Sequence, residues 1–306
     1  MSLTFIDLFA GLGGFRLGME QAEHKCLGYV EWDKFARKSY EAIHDTGEEW
    51  TWNDISTIDY RNIPKSDCWT FGFPCQDISI GGKTQGFDGK RSSLFFAVTK
   101  LLRQTKEWSP ERLPKKLFIE NVKNFLSVNG GWDFLKAQIE LGEIGYDCEW
   151  ELLNSREFGV PQSRDRVFII GHLRGHSRRE VFPIRRTIAA TPLPRTGGFK
   201  IINNTVQGYD YAGENDVINF AFPGSNTRRG RVGRGYFQTI DTQCSQAVLD
   251  KGRWRQITPR EAFRIQGFPD WAFDKAREVN SDVQLFKQAG NSVTVPVIYE
   301  IAKRLV

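Results

Sequence analysis

Five cysteines are spread over the 306 residues, and one of them, Cys75, stands where a nucleophile could act. It lies in Gly72-Phe73-Pro74-Cys75-Gln76, directly after the strand-like run 69–71. Proline fixes its own φ and restricts Phe73 to an extended backbone, so a stiff segment presents the thiol. A thiolate is a strong nucleophile when its surroundings lower its pKa. An isolated cysteine is more often a small buried hydrophobe, and the other four are read that way. Glu120 ends a second apolar run, Phe118-Ile119-Glu120-Asn121-Val122. Burial raises a carboxyl pKa, so Glu120 could stay protonated and donate a hydrogen bond; capping a following helix is the competing reading. Gln162, Arg164 and Arg166 alternate with Ser163 and Asp165, which in an extended chain puts the first three on one face. Such a polar comb fits a site, and fits a solvent-exposed edge strand equally well.

A ligand turn is written into Asp7-Leu8-Phe9-Ala10-Gly11-Leu12-Gly13-Gly14-Phe15, where glycines allow close backbone approach. A dinucleotide fingerprint would need a third glycine at position 16, which is Arg16, so hydride transfer to a nicotinamide cofactor is disfavoured. Glu31 closes the next strand-like run and could hold ribose hydroxyls, as in nucleotide-binding α/β domains. A tight βα turn is the bland alternative. His172 and His176 have the spacing of a zinc helix, yet Leu173 replaces the catalytic Glu and Gly175 opposes a helix, so no metal is expected.

Such side chains need a frame, and the apolar patterning predicts one. Residues 3–9, 26–30, 69–71, 117–120, 146–153 and 167–171 read as strands. Helices are expected from near Phe15, from an Asp33 cap towards His44, and over about 92–106. Strands alternating with helices imply an α/β fold with a parallel, doubly wound sheet that binds ligands at the strands' carboxyl ends. The rhythm is lost after Gly171. Residues 172–252 are rich in Arg, Gly, Pro, Asn and Thr, with short apolar pieces at 200–202 and 217–222. They read as a small, irregular, mostly β domain. Helical pattern returns at 259–266 and at the end, where Ile298, Ile301, Ala302 and Leu305 form one apolar face that should pack back onto the first domain.

Composition narrows the class. At 40% hydrophobic and 26% charged, with mean hydropathy −0.44, the chain has an ordinary globular profile. Its longest apolar runs fall short of the ~20 residues of a spanning helix, and the start lacks a signal peptide's basic leader. A cytoplasmic location is expected. An odd number of cysteines without a Cys-x-x-Cys pair excludes a disulfide framework and a zinc ribbon. Residues 1–171 carry net −4, 172–255 carry +8, and 256–306 carry +1. A basic segment between near-neutral ones suits a polyanion-binding module, a solvated face being the alternative. Arg228, Arg229, Arg231 and Arg234, spaced among glycines, are its candidate phosphate and base contacts.

Taken in order, these segments closely resemble the DNA (cytosine-5)-methyltransferase family. The resemblance is carried by DLFAGLGGF, Glu31-Trp32, Asp54-Ile55, GFPCQ, ENV, QSRDR, the stretch from Arg260 to Pro269, and QAGNSV at 288–293. It covers nearly all of 1–171 and 253–306. It implies a Rossmann-like, S-adenosylmethionine-dependent catalytic domain from those two parts, with 172–252 as a small target-recognition domain. Phe15, Glu31, Trp32, Asp54, Ile55, Pro74, Leu94, Asn291, Ser292 and Val293 would form the cofactor pocket. Cys75 would attack carbon 6 of a flipped-out cytosine, Glu120 would bind ring nitrogen 3 and the amino group, and Arg166 the carbonyl oxygen. Arg164, beside the catalytic groups, and Gln162, also in contact with the DNA, would support them, and residues 79–89 would close over the DNA.

Thr239, in Phe237-Gln238-Thr239-Ile240, resembles the family's recurrent recognition-region threonine. Double-stranded DNA is the implied partner of a monomeric enzyme, and the resemblance admits a companion restriction endonuclease. Asp77 departs from the pattern, which usually has a small or apolar residue there. A tRNA methyltransferase of the same fold would carry Cys-Phe-Thr, but none of the five cysteines precedes a Phe. A catalytically idle DNA-binding relative is opposed by the retained Cys75, Glu120 and Arg166.

Overall fold

A computed structural model of the chain describes residues 2–73, 93–186, 196–227 and 229–306. The chain divides into two compact units. Met1–Leu153, Asp165–Arg185 and Val295–Val306 form the first, and Asn154–Arg164 with Arg186–Thr294 the second. These units part the chain at other places than the functional division read from the sequence: residues 253–294 cluster with the second unit, and only the last twelve with the first.

The first unit opens with β1 (Thr4–Leu8), α1 (Gly14–Gln21), β2 (Lys25–Val30), α2 (Lys34–Ile43), β3 (Trp50–Trp52), β4 (Cys68–Gly72) and α3 (Ser93–Trp108). It continues through β5 (Lys116–Val122), α4 (Trp132–Ile144) and β6 (Tyr146–Asn154). After β7 (Gln162–Ser163), which belongs to the second unit, β8 (Asp165–Leu173) completes a sheet ordered β3-β2-β1-β4-β5-β8-β6. The five strands from β3 to β5 are parallel, as the alternating pattern predicts. β8 is a departure, running antiparallel to β5. Its connection from β6 is not a helical crossover, so nothing forces a parallel return.

Central strands here are buried on both faces, which explains their continuous apolar runs. Ile6, Leu8, Phe71, Leu117 and Ile119 are completely buried in one core with Phe95, Leu102 and Phe134 from the helices. Each such side chain contributes ~1.5–3 kcal/mol relative to exposure. Asp33 caps α2 as expected, accepting from the backbone N–H groups of Phe35 and Ala36. The expected terminal helix is α8 (Val295–Ala302), and Ile298, Ile301, Ala302 and Leu305 are all buried. Gly18 of α1 lies so near that a Cβ there would be 2.6 Å from the Ile298 side chain.

The second unit is built on four antiparallel strands in the order β12-β11-β14-β15. These are β11 (Val217–Asn219), β12 (Arg231–Gly233), β14 (Gln246–Asp250) and β15 (Arg253–Gln256). A separate two-stranded ribbon pairs β9 (Phe199–Ile202) with β10 (Tyr209–Ala212). β13 (Phe237–Gln238) pairs with β7, and α5 (Pro259–Ile265), α6 (Asp270–Val279) and α7 (Asp282–Asn291) follow. A capping box between Thr258 and Glu261 sets the start of α5. Among the described residues no helix is long and apolar enough to cross a membrane.

Candidate active site

The glycine turn follows β1 at the carboxyl end of the parallel strands. Gly11 has φ +56°, and among the described residues nothing lies within 4 Å of where its Cβ would be. Conformation therefore selects glycine there, and the space before it is open. Glu31, just past β2, grips this turn: its carboxylate accepts from Gly11 N at 2.8 Å and Asp33 N at 2.7 Å. Burial pushes its carboxyl above the ordinary range, while these two N–H donors pull the other way.

Arg16 supports the turn from behind, bonding Glu20 at 2.8 Å and Glu49 at 2.7 Å while only 5% exposed. Asp7 is wholly buried, accepts from Thr70 Oγ1 at 3.1 Å, and has no hydrogen-bond partner on Oδ2 among the described residues. Burial raises its carboxyl well above the usual range, while the Thr70 hydroxyl pulls the other way.

The remaining candidates of the first unit lie near the same strand ends. Trp32 is 75% exposed beside Glu31. Asp54 caps the 3-10 turn Ile55–Thr57 through Ser56 N, and Ile55 is buried. Leu94 packs against the main core from α3. An open glycine cradle, a carboxylate at the end of β2 and an exposed indole together fit a nucleoside. Each Glu31 oxygen keeps a lone pair for a ribose hydroxyl.

Glu120 and Arg166 meet on adjacent strands, β5 and β8, with Arg166 Nε 2.9 Å from Glu120 Oε1 and both side chains largely buried. Glu120 is thus half of a charge pair, a partner that the apolar run around it in sequence did not reveal. Asn121 is a residue the sequence reading left without a role. Its Nδ2 donates to Phe73 O at 3.2 Å, fixing the backbone immediately before Pro74. Pro74, Cys75 and Asp77, with the proposed closing loop at 79–89, lie outside the described residues. The other four thiols are poor nucleophiles: burial pushes Cys26, Cys148 and Cys244 up to about 12 and Cys68 higher still.

Gly72 has a specific reason to be glycine. A Cβ there would lie 3.0 Å from Glu120 Oε2 and 3.9 Å from the Phe15 ring, which itself packs edge-on against Phe118. Gly72→Ala should therefore displace a carboxylate already pinned by Arg166. We expect a fall of roughly a hundredfold in kcat, as for a reacting group misplaced by ~1 Å. The accompanying destabilisation should stay within ~1–3 kcal/mol. Steady-state kinetics beside a denaturant titration tests this, and an unchanged kcat would show that Glu120 yields freely.

The polar comb divides, and three readings need correction. Only Arg166 joins Glu120. Gln162, expected to contact DNA, is completely buried, accepting from Ile240 N and donating to Ile265 O and Gln266 Oε1. It organises the second unit and has no face for a phosphate. Arg164, expected beside the chemistry, is 3% exposed and donates to Ile240 O, Gly290 O and Ser292 O. It is a positioning residue that braces the segment carrying Asn291, Ser292 and Val293, all in the second unit. The edge-strand alternative fails as well, since Gln162 and Arg164 are buried.

Among the arginine candidates, Arg234 is spent on a two-pronged pair with Asp210, at 2.6 and 3.0 Å. Arg231 is exposed, Arg229 is half-buried, and Arg228 lies outside the described residues. Thr239 is exposed, with its hydroxyl donating to Ser163 O. His172 sits in β8, not on a helix, bonded to Glu149 at 2.6 Å and Lys116 at 2.7 Å.

Comparison with known proteins agrees with this geometry. The sequence profile of the C-5 cytosine-specific DNA methylase family matches residues 3–219 and 195–306. The Type II methyltransferase M.HhaI of Haemophilus parahaemolyticus is 31% identical over 322 residues, covering 98% of this chain and 93% of that protein. M.NlaX of Neisseria lactamica, also a Type II methyltransferase, is 34% identical over 317 residues, covering 98% and 95%. The solved Entamoeba histolytica methyltransferase EhMeth shares the fold, with TM-score 0.65 at 20% identity over 98% of this chain and 96% of that one. The chain belongs to the C-5 cytosine-specific DNA methylase family and is a DNA (cytosine-5) methyltransferase.

Proposed function

We propose that the chain methylates carbon 5 of a cytosine flipped out of a specific duplex DNA sequence, with S-adenosylmethionine as donor and Cys75 as covalent nucleophile. The observation that carries this reading is the Glu120–Arg166 pair at the carboxyl end of β5, on the same sheet as the Glu31-held glycine turn. Phe15, Glu31, Trp32, Asp54, Ile55, Pro74 and Leu94 would hold the cofactor. When bound, S-adenosylmethionine supplies an electrophilic methyl group that carbon 5 accepts.

The protein's part is to make carbon 5 nucleophilic. Cys75 Sγ bonds to carbon 6, and the electrons of the 5,6 double bond move towards carbon 5 and ring nitrogen 3. Glu120, in its protonated form, donates its proton to ring nitrogen 3 as negative charge develops there, and Arg166 has further donors for the carbonyl oxygen. After methylation a base removes the carbon 5 proton, the double bond re-forms, and the pair of the Sγ–C6 bond returns to sulfur. Extrusion of the base costs a few kcal/mol, which the basic residues 172–252, as a target-recognition domain, would repay through backbone contacts. The relatives' Type II designation supports a restriction-modification setting in the cytoplasm, where methylation protects a site from a companion endonuclease.

Labelled methyl from S-adenosylmethionine should enter duplex DNA at carbon 5 of cytosine and not tRNA. In calorimetry, Glu31→Ala should weaken cofactor binding roughly ten- to hundredfold, the cost of one charge-assisted hydrogen bond. Transfer to tRNA alone, or unaltered affinity in Glu31→Ala, would refute the assignment.

A further inference from the structure

The β9–β10 ribbon presents a tip that the arginine-based reading of DNA recognition passes over. Residues 203–208 join the two strands, and Asn204, Thr205, Val206 and Gln207 are all exposed. Val206 is fully exposed, an unusual place for an apolar side chain at a turn. The turn is nevertheless held in one shape. Asn203 is 4% exposed, and its Oδ1 accepts from Thr205 N at 3.0 Å and Thr205 Oγ1 at 2.7 Å. Asn203 N donates to Gly208 O, and Gly208 N to Thr205 O, closing the loop twice over.

An isolated two-stranded ribbon is only marginally stable, so this one needs anchors. Arg234 supplies one by clamping Asp210 of β10. Phe199 of β9 packs edge-on against Trp254, with ring centroids 6.0 Å apart. Gly230 supplies a third, because a Cβ there would run into Ile202 O. The arginine–glycine segment thus braces the ribbon, and what the ribbon holds out is its neutral tip.

Building on the DNA-methyltransferase reading, we infer that Asn204, Val206 and Gln207 are specificity-determining residues that read base edges in the major groove. That groove admits a two-stranded ribbon, and the tip's chemistry is the kind that distinguishes bases. Side-chain amides pair a donor with an acceptor, matching adenine N6 and N7, and an apolar group matches the thymine methyl. None of the three carries charge, so none supplies the counterion-releasing attraction that lysine and arginine bring to phosphates.

The full chain and its Asn204→Ala, Val206→Ala and Gln207→Ala variants should be given a library of duplexes randomised around a single cytosine. Methylated products are then sequenced. Each variant should relax preference at one base position, the ratio of kcat/KM between preferred and other bases falling roughly tenfold to a hundredfold. The salt dependence of binding should keep its slope, because no charged group is removed. Unaltered base frequencies in all three variants, or an equal loss on every sequence, would overturn the inference while leaving the methyltransferase reading intact. A wild-type chain that methylates no duplex would overturn both.

Discussion

Cys75→Ala is expected to abolish methyl transfer, with a loss on the order of 10⁴ to 10⁶ in kcat, as when the nucleophile of a covalent enzyme is removed. The reason is chemical. Without addition at carbon 6, carbon 5 of cytosine is too weak a nucleophile to take a methyl group, and no neighbouring thiol can substitute. Cys26, Cys148 and Cys244 are pushed up to about 12 by burial, and Cys68 further, so each stays a neutral thiol at physiological pH. A duplex with 5-fluorocytosine at the target separates the nucleophile from mere packing. Fluorine cannot leave carbon 5 as a proton does, so wild type should be trapped covalently when cofactor is present. The alanine variant should not. Its S-adenosylmethionine affinity should stay within a few-fold of wild type, and covalent trapping that persists in it would end the assignment.

Arg164→Ala should act on stability first. The guanidinium is buried and serves three carbonyl oxygens, those of Ile240, Gly290 and Ser292. Truncation would strand these acceptors away from water, at a total cost of ~3–5 kcal/mol for three buried oxygens left unpaired. For a protein of this size that lowers the melting temperature by roughly 10 °C. Arg164→Lys keeps the charge but not the fork, so it should recover only part of the loss. Calorimetric melting of both variants beside kcat and KM decides the matter. A large fall in kcat with unchanged melting temperature would return Arg164 to the chemistry and remove it from the scaffold.

The strands and helices that position the cofactor residues were legible because they obey strong local rules. β1, β4 and β5 are mostly apolar runs, Asp33 is a side-chain cap, and α8 shows an apolar face at helical spacing. What escaped was non-local. β3 is three residues long, too short for any period to register. The antiparallel entry of β8 depends on pairing with β5, on which alternation within β8 is silent. Gln162 and Arg164 were misjudged for a related reason: their polarity suggests water or ligand, while burial against backbone carbonyls and a neighbouring amide satisfies them as well and leaves no trace in spacing. The Glu120–Arg166 pair spans 46 positions of sequence, and only the neighbouring strands bring it together. Arg234 looked like a DNA contact until Asp210, 24 positions away, was seen to neutralise it.

The packing of Gly18 against Ile298 has a temporal side. During synthesis α1, with the glycine turn and Phe15, leaves the ribosome long before Val295–Ala302 exists. Until then the groove along Gly18 has no occupant, and the face of α1 that will meet Ile298 stays wet. Joining first helix to last closes a loop of nearly the whole chain. Its entropic cost rises only slowly with length, but such distant contacts are late and slow to form. A nascent chain therefore carries apolar surface that a holding chaperone would recognise, and its cofactor turn lacks its backing.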